Sequence, residues 1–229
     1  DPERSLYWLS FNTDKRGITL NLESSQGQDL FRRLVEKADF VLESFPPGYM
    51  ASRGLGCEAL SRINPRIIMT SITPFGQKGP YSQFKGSNLV GSAMGGVLEN
   101  TGYPDRPPVK DAPDTVYFET GAAAALGTII SHYYREITGE GQQVDVSLQE
   151  CEARRMRDCL VTYFFEHRLV KRTGNMGHTT SGHSQRWLWP CKDGDVFWRG
   201  GPVAPPSTKQ ALSQLLDEQG MENTFKDTD

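Results

Sequence analysis

Ile67-Ile68-Met69-Thr70-Ser71-Ile72 is a six-residue stretch, apolar except at Thr70 and Ser71, that shows no period-two alternation. A strand of that kind has no solvent face, so it reads as the interior of a parallel sheet covered on both sides. Working outward, Asn64-Pro65 stops a short helical piece around Cys57 to Ile63, and Phe40-Val41-Leu42 forms a shorter apolar run before it. Leu30, Phe31, Leu34, Val35 and Ala38 recur at helical spacing behind Ser24 and Ser25, which are residues that cap helix N-termini. Gly17-Ile18-Thr19-Leu20-Asn21-Leu22 alternates with period two and predicts a further strand. Strands alternating with helices make the first half of the chain α/β.

The second half continues the pattern. Residues 86–98 and 115–136 read as helices, the latter rich in small residues from Gly121 to Ala125, with Thr138-Gly139-Glu140-Gly141 as the turn that ends it. Gln143-Val144-Asp145-Val146-Ser147 reads as a strand, and Leu148 to Val170 as one helix carrying Arg154, Arg155 and Arg157, a cluster expected on a solvated or interface face. After Thr173-Gly174-Asn175 the composition shifts toward Gly, His, Ser and Thr, placing a domain boundary near residue 180. The segment from Trp187 to Trp198 predicts a hairpin turning at Asp193-Gly194.

The bulk chemistry narrows the classes of function. The 229 residues are 37% hydrophobic and 23% charged, with 25 Lys+Arg against 28 Asp+Glu and a net charge of -3. Scattered basic residues on a slightly acidic chain leave no footprint for nucleic acid or an anionic membrane surface. The small-apolar stretch from Gly121 to Ile130 falls short of the roughly 20 residues a bilayer span needs. Cys57, Cys151, Cys159 and Cys191 form no paired framework, so they read as packing residues in a reducing, cytoplasmic setting. His178, His183 and Cys191 match no zinc spacing, and no metal site is expected. Phosphate-loop, dinucleotide, metalloprotease and serine-hydrolase motifs are absent from the sequence. Asp111, Asp114 and Glu119 surround the start of the long helix, where acids favour the N-terminal dipole without a catalytic duty.

Six blocks in order carry a family resemblance. Asp14-Lys15-Arg16-Gly17-Ile18-Thr19-Leu20, preceded by Tyr7, resembles the "NKRSITLDL" opening of the family III CoA-transferases, the CaiB/BaiF family. Glu43-Ser44-Phe45-Pro46-Pro47-Gly48 is similar to their "ENFRPG", and residues 71–81 to their "SISGFGQTGPY". Thr101-Gly102, Pro107-Pro108, and Thr138 to Ser147 complete the set over about residues 5 to 200. The resemblance implies a Rossmann-like large domain over 1–180, the start of a smaller α+β domain over 181–229, and two interlocked protomers. It also implies a fragment, with the family's N-terminal strand before residue 1 and most of the small domain after residue 229.

For function, the resemblance implies transfer of CoA between an acyl-CoA thioester and a carboxylic acid, with coenzyme A as substrate and no covalently bound cofactor. The family nucleophile is an aspartate that attacks the thioester and forms an anhydride, then an aspartyl-CoA thioester. Counting forward from Pro107-Pro108 and backward from Thr138-Gly139 places that position at Tyr117, a phenol whose ordinary pKa near 10 does not suit the step. A second family acid falls at Asn88, and Tyr7 matches an active-site tyrosine. Phe45 matches the aromatic that packs on adenine and otherwise reads as a loop anchor; Lys85 matches a residue on CoA phosphate and otherwise reads as exposed. Ser44 and Ser52 stand where the family has Asn and Arg, and residues 179–183 match a loop that covers the active site in some members.

Three readings follow. The first is a subunit lacking its own nucleophile and working beside a homologous subunit that supplies the aspartate. The second is a self-sufficient transferase or isomerase using Asp114 or Glu119 as a relocated carboxylate, with helix geometry arguing against Glu119. The third is a non-catalytic acyl-CoA-binding or structural protein.

Overall fold

The computed structural model describes residues 5–112, 114–178, 184–198 and 205–221. They fall into two compact units, one within residues 1–96 and 112–155 and the other within 97–111 and 156–229. In chain order the first holds α1 (Leu6–Phe11), α2 (Ser25–Val35), β1 (Phe40–Glu43), α3 (Tyr49–Ser52), α4 (Cys57–Ser61), β2 (Ile68–Thr73) and α5 (Asn88–Met94). The long helix α6 (Thr115–Thr138), β3 (Gln143–Ser147) and α7 (Leu148–Arg155) complete it.

The sheet order is β1-β2-β3, with both pairings parallel, Val41 opposite Met69 and Thr70 opposite Val144. β2 is central and its residues Ile68 to Ser71 are all buried, as an apolar run without alternation requires. Val35, Val41, Met50, Leu55, Leu60, Ile67 and Met69 form one core cluster. Ala124, Val146 and Cys151 form a second, where α6 lies on the sheet. There the buried Thr128 hydroxyl donates to the Ala124 carbonyl at 2.7 Å and lies 2.7 Å from the Thr70 hydroxyl, so these two hydroxyls are satisfied inside the layer. Ser24 caps α2 as its position suggests, accepting from the Gly27 N–H at 3.1 Å.

Two expectations are corrected in this unit and at its edge. Residues 17–22 are not a strand: no strand of the sheet pairs with them, and Ile18 lies exposed. Alternation marks a half-buried strand only when a neighbour takes up its N–H and C=O groups, and among the described residues both β1 and β3 pair solely with β2. The single helix expected over 148–170 is two: α7 ends at Arg155, Met156 leaves the helical backbone region, and α8 (Arg157–Glu166) ends at His167 in the left-handed region.

The second unit contains a short 3-10 turn (Leu98–Asn100), α8, and two antiparallel pairs. β4 (Met176–His178) pairs with β5 (Ser184–Arg186), and β6 (Leu188–Cys191) with β7 (Gly194–Phe197). The expected hairpin is present, but its loop residues are Lys192-Asp193, and Gly194 opens the return strand opposite Cys191. Helix α9 (Pro206–Glu218) follows. The boundary expected near residue 180 and the loop of residues 179–183 lie outside the described residues.

Candidate active site

Because the strands are parallel, their carboxyl ends lie at one edge of the sheet, the edge where open α/β sheets build their sites. Phe45 leaves the sheet there, two residues after β1, and the loop of residues 74–87 leaves it after β2. That loop is fixed at both ends. The Gln77 N–H donates to Asp145 of β3 at 2.9 Å, and a Cβ on Gly86 would sit 2.3 Å from Pro74. The far end of α6 reaches the opposite edge, where Arg135 donates to the carbonyls of Asp39 and Arg66, just ahead of β1 and β2. Helix α6 therefore starts at the carboxyl edge, carrying Asp114 and Tyr117 to it.

At that start, four residues from three segments meet. Tyr117, 45% exposed in the first turn of α6, accepts a hydrogen bond through its hydroxyl from the Asn88 backbone N–H at 3.0 Å. This N–H is one of the donors that the first turn of α5 leaves without an intrahelical partner. The Asn88 side-chain amide points at the Asp114 carboxylate at 3.4 Å. Tyr7 of α1 also reaches Asp114: its phenol is pushed above the ordinary value by partial desolvation, then by the hydrogen bond and negative charge of Asp114, with Tyr117 adding to the effect. Phe11 of α1 lies 5.3 Å from Phe118, which holds α1 against the first turn of α6.

Asp114 is not the dipole cap that its position suggests. It occupies the N-cap at φ 63, a left-handed conformation uncommon outside glycine, and its side chain makes no capping bond. The carboxylate is turned to Tyr7 and Asn88 instead. Glu119 faces another way, 3.5 Å from Arg154. The arginine cluster dissolves into separate pairs: Arg157 meets Asp158 at 3.4 Å, and Arg155 meets Glu152 at 3.0 Å, a carboxylate with no exposed surface. Arg155 thus neutralises a buried glutamate rather than forming part of a solvated basic face.

The second group surrounds Phe45. Its ring is stacked on Tyr49 with centroids 4.4 Å apart and planes 19° from parallel, while Ser44 is exposed beside it. Ser52 donates to the Tyr49 carbonyl at 2.8 Å and accepts from Arg53 at 3.1 Å, so it is occupied locally. Lys85 is exposed in the fixed loop, three residues ahead of Asn88. Sequence reasoning missed Glu23, Tyr49 and Arg53, which tie this group together. Tyr49 donates its hydroxyl to Glu23 at 2.6 Å, and one Arg53 nitrogen lies 2.6 Å from both Glu23 oxygens. Arg53 is the residue next to the position where the family pattern carries its arginine, the only local signal that could have pointed to it.

These contacts set a pH dependence. The Tyr49 hydroxyl, then Arg53, hold the Glu23 carboxyl below its ordinary value, so the stabilisation is present above the ordinary glutamate range and is lost as pH falls through the depressed folded value. Tyr49 is raised, first by Glu23, so its contribution holds below the ordinary tyrosine value and is lost as pH rises through the raised one. Glu23→Gln is expected to flatten the acid limb of urea midpoint against pH; an unchanged limb would mean that this contact is not made in solution.

Among the described residues no group of three or more His, Cys, Asp or Glu could hold a metal ion, and no helix is long and apolar enough to cross a membrane. His183 lies outside the described residues.

Comparison with known proteins places these features. The succinyl-CoA–D-citramalate CoA-transferase of Chloroflexus aurantiacus is 36% identical over 213 residues, covering 92% of this chain and 52% of that protein. The formyl-CoA:oxalate CoA-transferase of Streptomyces coelicolor is 39% identical over 228 residues, covering 93% and 54%. Subunit BbsE of the succinyl-CoA:(R)-benzylsuccinate CoA-transferase of Thauera aromatica is 36% identical over 194 residues, covering 85% and 46%. The chain thus spans about half the length of the curated relatives it matches. Among solved structures, a CaiB/BaiF family protein from Brucella suis superimposes with a TM-score of 0.76 at 30% identity, covering 90% of this chain and 52% of that one. Residues 1–226 match the pattern of CoA-transferase family III, and with the parallel sheet and the motif order in agreement, the chain belongs to that family.

Proposed function

We propose that this chain is part of a CoA-transferase subunit that works beside a homologous subunit, moving CoA between an acyl-CoA thioester and a carboxylic acid. The observation that carries the reading is Tyr117: a phenol, already engaged by the Asn88 N–H, stands where the family's nucleophilic carboxylate would be. In the proposed reaction the partner's aspartate adds to the thioester carbonyl, the C–S bond breaks and the CoA thiolate leaves, giving an anhydride. The thiolate then attacks the aspartyl carbonyl, expelling the first carboxylate and leaving an aspartyl thioester; the incoming carboxylate attacks that thioester carbonyl, breaks its C–S bond and releases the thiolate again, giving a second anhydride. A final thiolate attack on the new acyl group frees the aspartate. This chain's part is to bind: Phe45 and Lys85 at the carboxyl edge for the nucleotide end of CoA, and Tyr7, Asn88 and Asp114 around the acyl end. Two relatives carry subunit names, BbsE and the beta subunit of a succinyl-CoA–L-malate CoA-transferase from Chloroflexus aurantiacus, which supports a two-subunit arrangement.

The domain assignment of 1–180 and 181–229, the interlocked dimer and a cytoplasmic setting belong to the same proposal, the last supported by four free cysteines. The test is to purify the full-length protein with and without a homologue carrying aspartate at the position of Tyr117. Acyl transfer is expected only with both present; failure of the two to co-purify would remove the reading.

A second reading is favoured by one observation, the uncapping, left-handed Asp114 turned toward Tyr7 and Asn88. A backbone held in a sparsely populated region at a candidate site points to a role for the side chain it presents. If Asp114 is the working carboxylate, Asp114→Asn abolishes turnover by the full-length protein alone, and the Tyr7 phenol moves back toward its ordinary value. Unchanged turnover removes Asp114 from the chemistry.

A further inference from the structure

Lys85 and Asn88, two of the groups proposed above to bind the thioester, lie on one segment, residues 74–94, which runs from the end of β2 to the end of α5. The corner between β3 and α7 holds that segment at both ends. Asp145 of β3 takes the Gln77 N–H on its carboxylate at 2.9 Å, a charge-assisted bond reached where Gly76 turns the chain at φ 82. Four residues on, Gln149 is the second residue of α7, a position whose N–H has no partner inside the helix. That N–H donates to the Pro74 carbonyl at 3.1 Å. The Gln149 side-chain amide donates at 3.3 Å to the carbonyl of Met94, the last residue of α5, which the helix end leaves without an intrahelical donor. The first and last residues of the segment are therefore bonded to the same glutamine. Between them the loop closes on itself through the rings of Phe75, Tyr81 and Phe84, with centroids 5.3, 6.1 and 6.4 Å apart. Helix α5 is seated directly on α7: a Cβ on Gly95, the residue after α5, would lie 2.2 Å from the Glu152 Cβ.

We infer that Asp145 and Gln149 are positioning residues that staple the 74–94 segment to the β3–α7 corner, so that Lys85 and Asn88 are in place before the substrate arrives. The inference rests on the function proposed above for what Lys85 and Asn88 touch. A surface loop of this length without such ties belongs to the least stable part of a domain and must be ordered by its ligand, which lowers affinity. Here the ties run to a corner in the same compact unit as α6, and the Asn88 N–H stays 3.0 Å from the Tyr117 hydroxyl. Asp145 thus acts through Gln77 on the loop that carries Lys85, and Gln149 acts through Pro74 and Met94 on the helix that begins with Asn88.

The test uses Asp145→Ala and Gln149→Met in the full-length protein, the latter keeping the side-chain length and removing only the amide, with Asp145→Asn as the conservative variant. Hydrogen exchange is read by mass spectrometry on peptides covering residues 75–94 and, as a control, the buried strand at residues 67–73. Exchange over 75–94 is expected to speed up about tenfold in both variants, with 67–73 unchanged. With the homologous subunit present, KM for the acyl-CoA should rise about tenfold and kcat change less, because the segment must then be ordered on binding. Asp145→Asn, whose amide oxygen still accepts the Gln77 N–H, should restore most of both signals. The double variant should lose less than the product of the two single losses, since both release one segment. Exchange that rises equally in the two peptides overturns the inference, because the residues would then only stabilise the fold. Unchanged exchange over 75–94 overturns it as well, as does faster exchange there with an unchanged KM. The expected exchange pattern in a protein whose wild type transfers nothing beside its subunit would support the staple and overturn the proposed function.

Discussion

Tyr117→Asp in the full-length protein is expected to form an acyl-enzyme without any partner, trapped by hydroxylamine as a hydroxamate on residue 117. An aspartate is shorter than tyrosine by the length of the ring, so the substitution opens space in front of Asn88 while placing a carboxylate at the start of α6. The Asn88 N–H, now spent on the Tyr117 hydroxyl at 3.0 Å, becomes free to receive the oxygen that gains charge as the thioester is attacked. One donor of that kind contributes on the order of 100-fold in rate. The unsatisfied N–H groups and dipole at the start of α6 should keep the new carboxylate ionised. Asn88→Phe alongside, which leaves the backbone N–H but fills the opened space, should suppress the gain. A folded, CoA-binding Tyr117→Asp protein with no hydroxamate would mean that the surroundings of residue 117 no longer fit a thioester.

The largest effect on stability is expected from Arg135→Ala. This arginine is almost fully buried near the end of α6, and one guanidinium nitrogen donates to the carbonyls of Asp39 and Arg66 at 3.0 and 3.1 Å. The other nitrogen reaches the Asp39 carboxylate at 3.2 Å, and the group lies 5.1 Å from the Phe40 ring centroid. A single side chain therefore satisfies the backbone just ahead of two neighbouring parallel strands and ties α6 to both. Truncation leaves two carbonyls short of a donor at a cost of roughly 1–3 kcal/mol each, so about 3 kcal/mol in total is expected in urea unfolding. Arg135→Lys should recover only part, because an ammonium does not reproduce the planar fork. A loss under about 1 kcal/mol would mean that water replaces the guanidinium at both carbonyls.

The sheet was legible because its signals are local. An apolar run without alternation, Ile67 to Ile72, can only be a covered strand or a buried helix turn, and the Asn64-Pro65 stop and short length decide between them. Ser24 before a helical repeat, and Gly139 after one, mark ends that the chain uses: Gly139 takes φ 81 at the close of α6. The alternating residues 17–22 misled because pairing is not a local property. Met156 breaks the expected helix where one compact unit gives way to the other, a change that no periodicity records. Helix α9 went unread: its apolar positions are few and Pro206 opens it.

For the candidate site, the sequence offered residues one at a time and not their arrangement. Motif spacing pointed to Tyr7, Asn88 and Tyr117 separately, and Asp114 stood out only as an acid three residues before Tyr117, yet only the fold brings residues 7 and 114 together. Asp114 looked like a cap because helix starts favour acids, and its backbone, once in the left-handed region, turned the carboxylate elsewhere. Glu23 and Arg53 lie 30 residues apart and match no motif, so their pairing had no signal in the sequence.

The central claim is that the nucleophile of this protein's reaction is supplied from outside the chain. Its most direct measurement mixes the full-length protein, a homologous subunit with aspartate at the position of Tyr117, an acyl-CoA, an acceptor carboxylate and hydroxylamine, then maps the modified carboxylate by mass spectrometry. The account predicts a hydroxamate on the homologue's aspartate, none on this chain, and no turnover by this chain alone. A hydroxamate on Asp114, formed with or without the homologue, would contradict it.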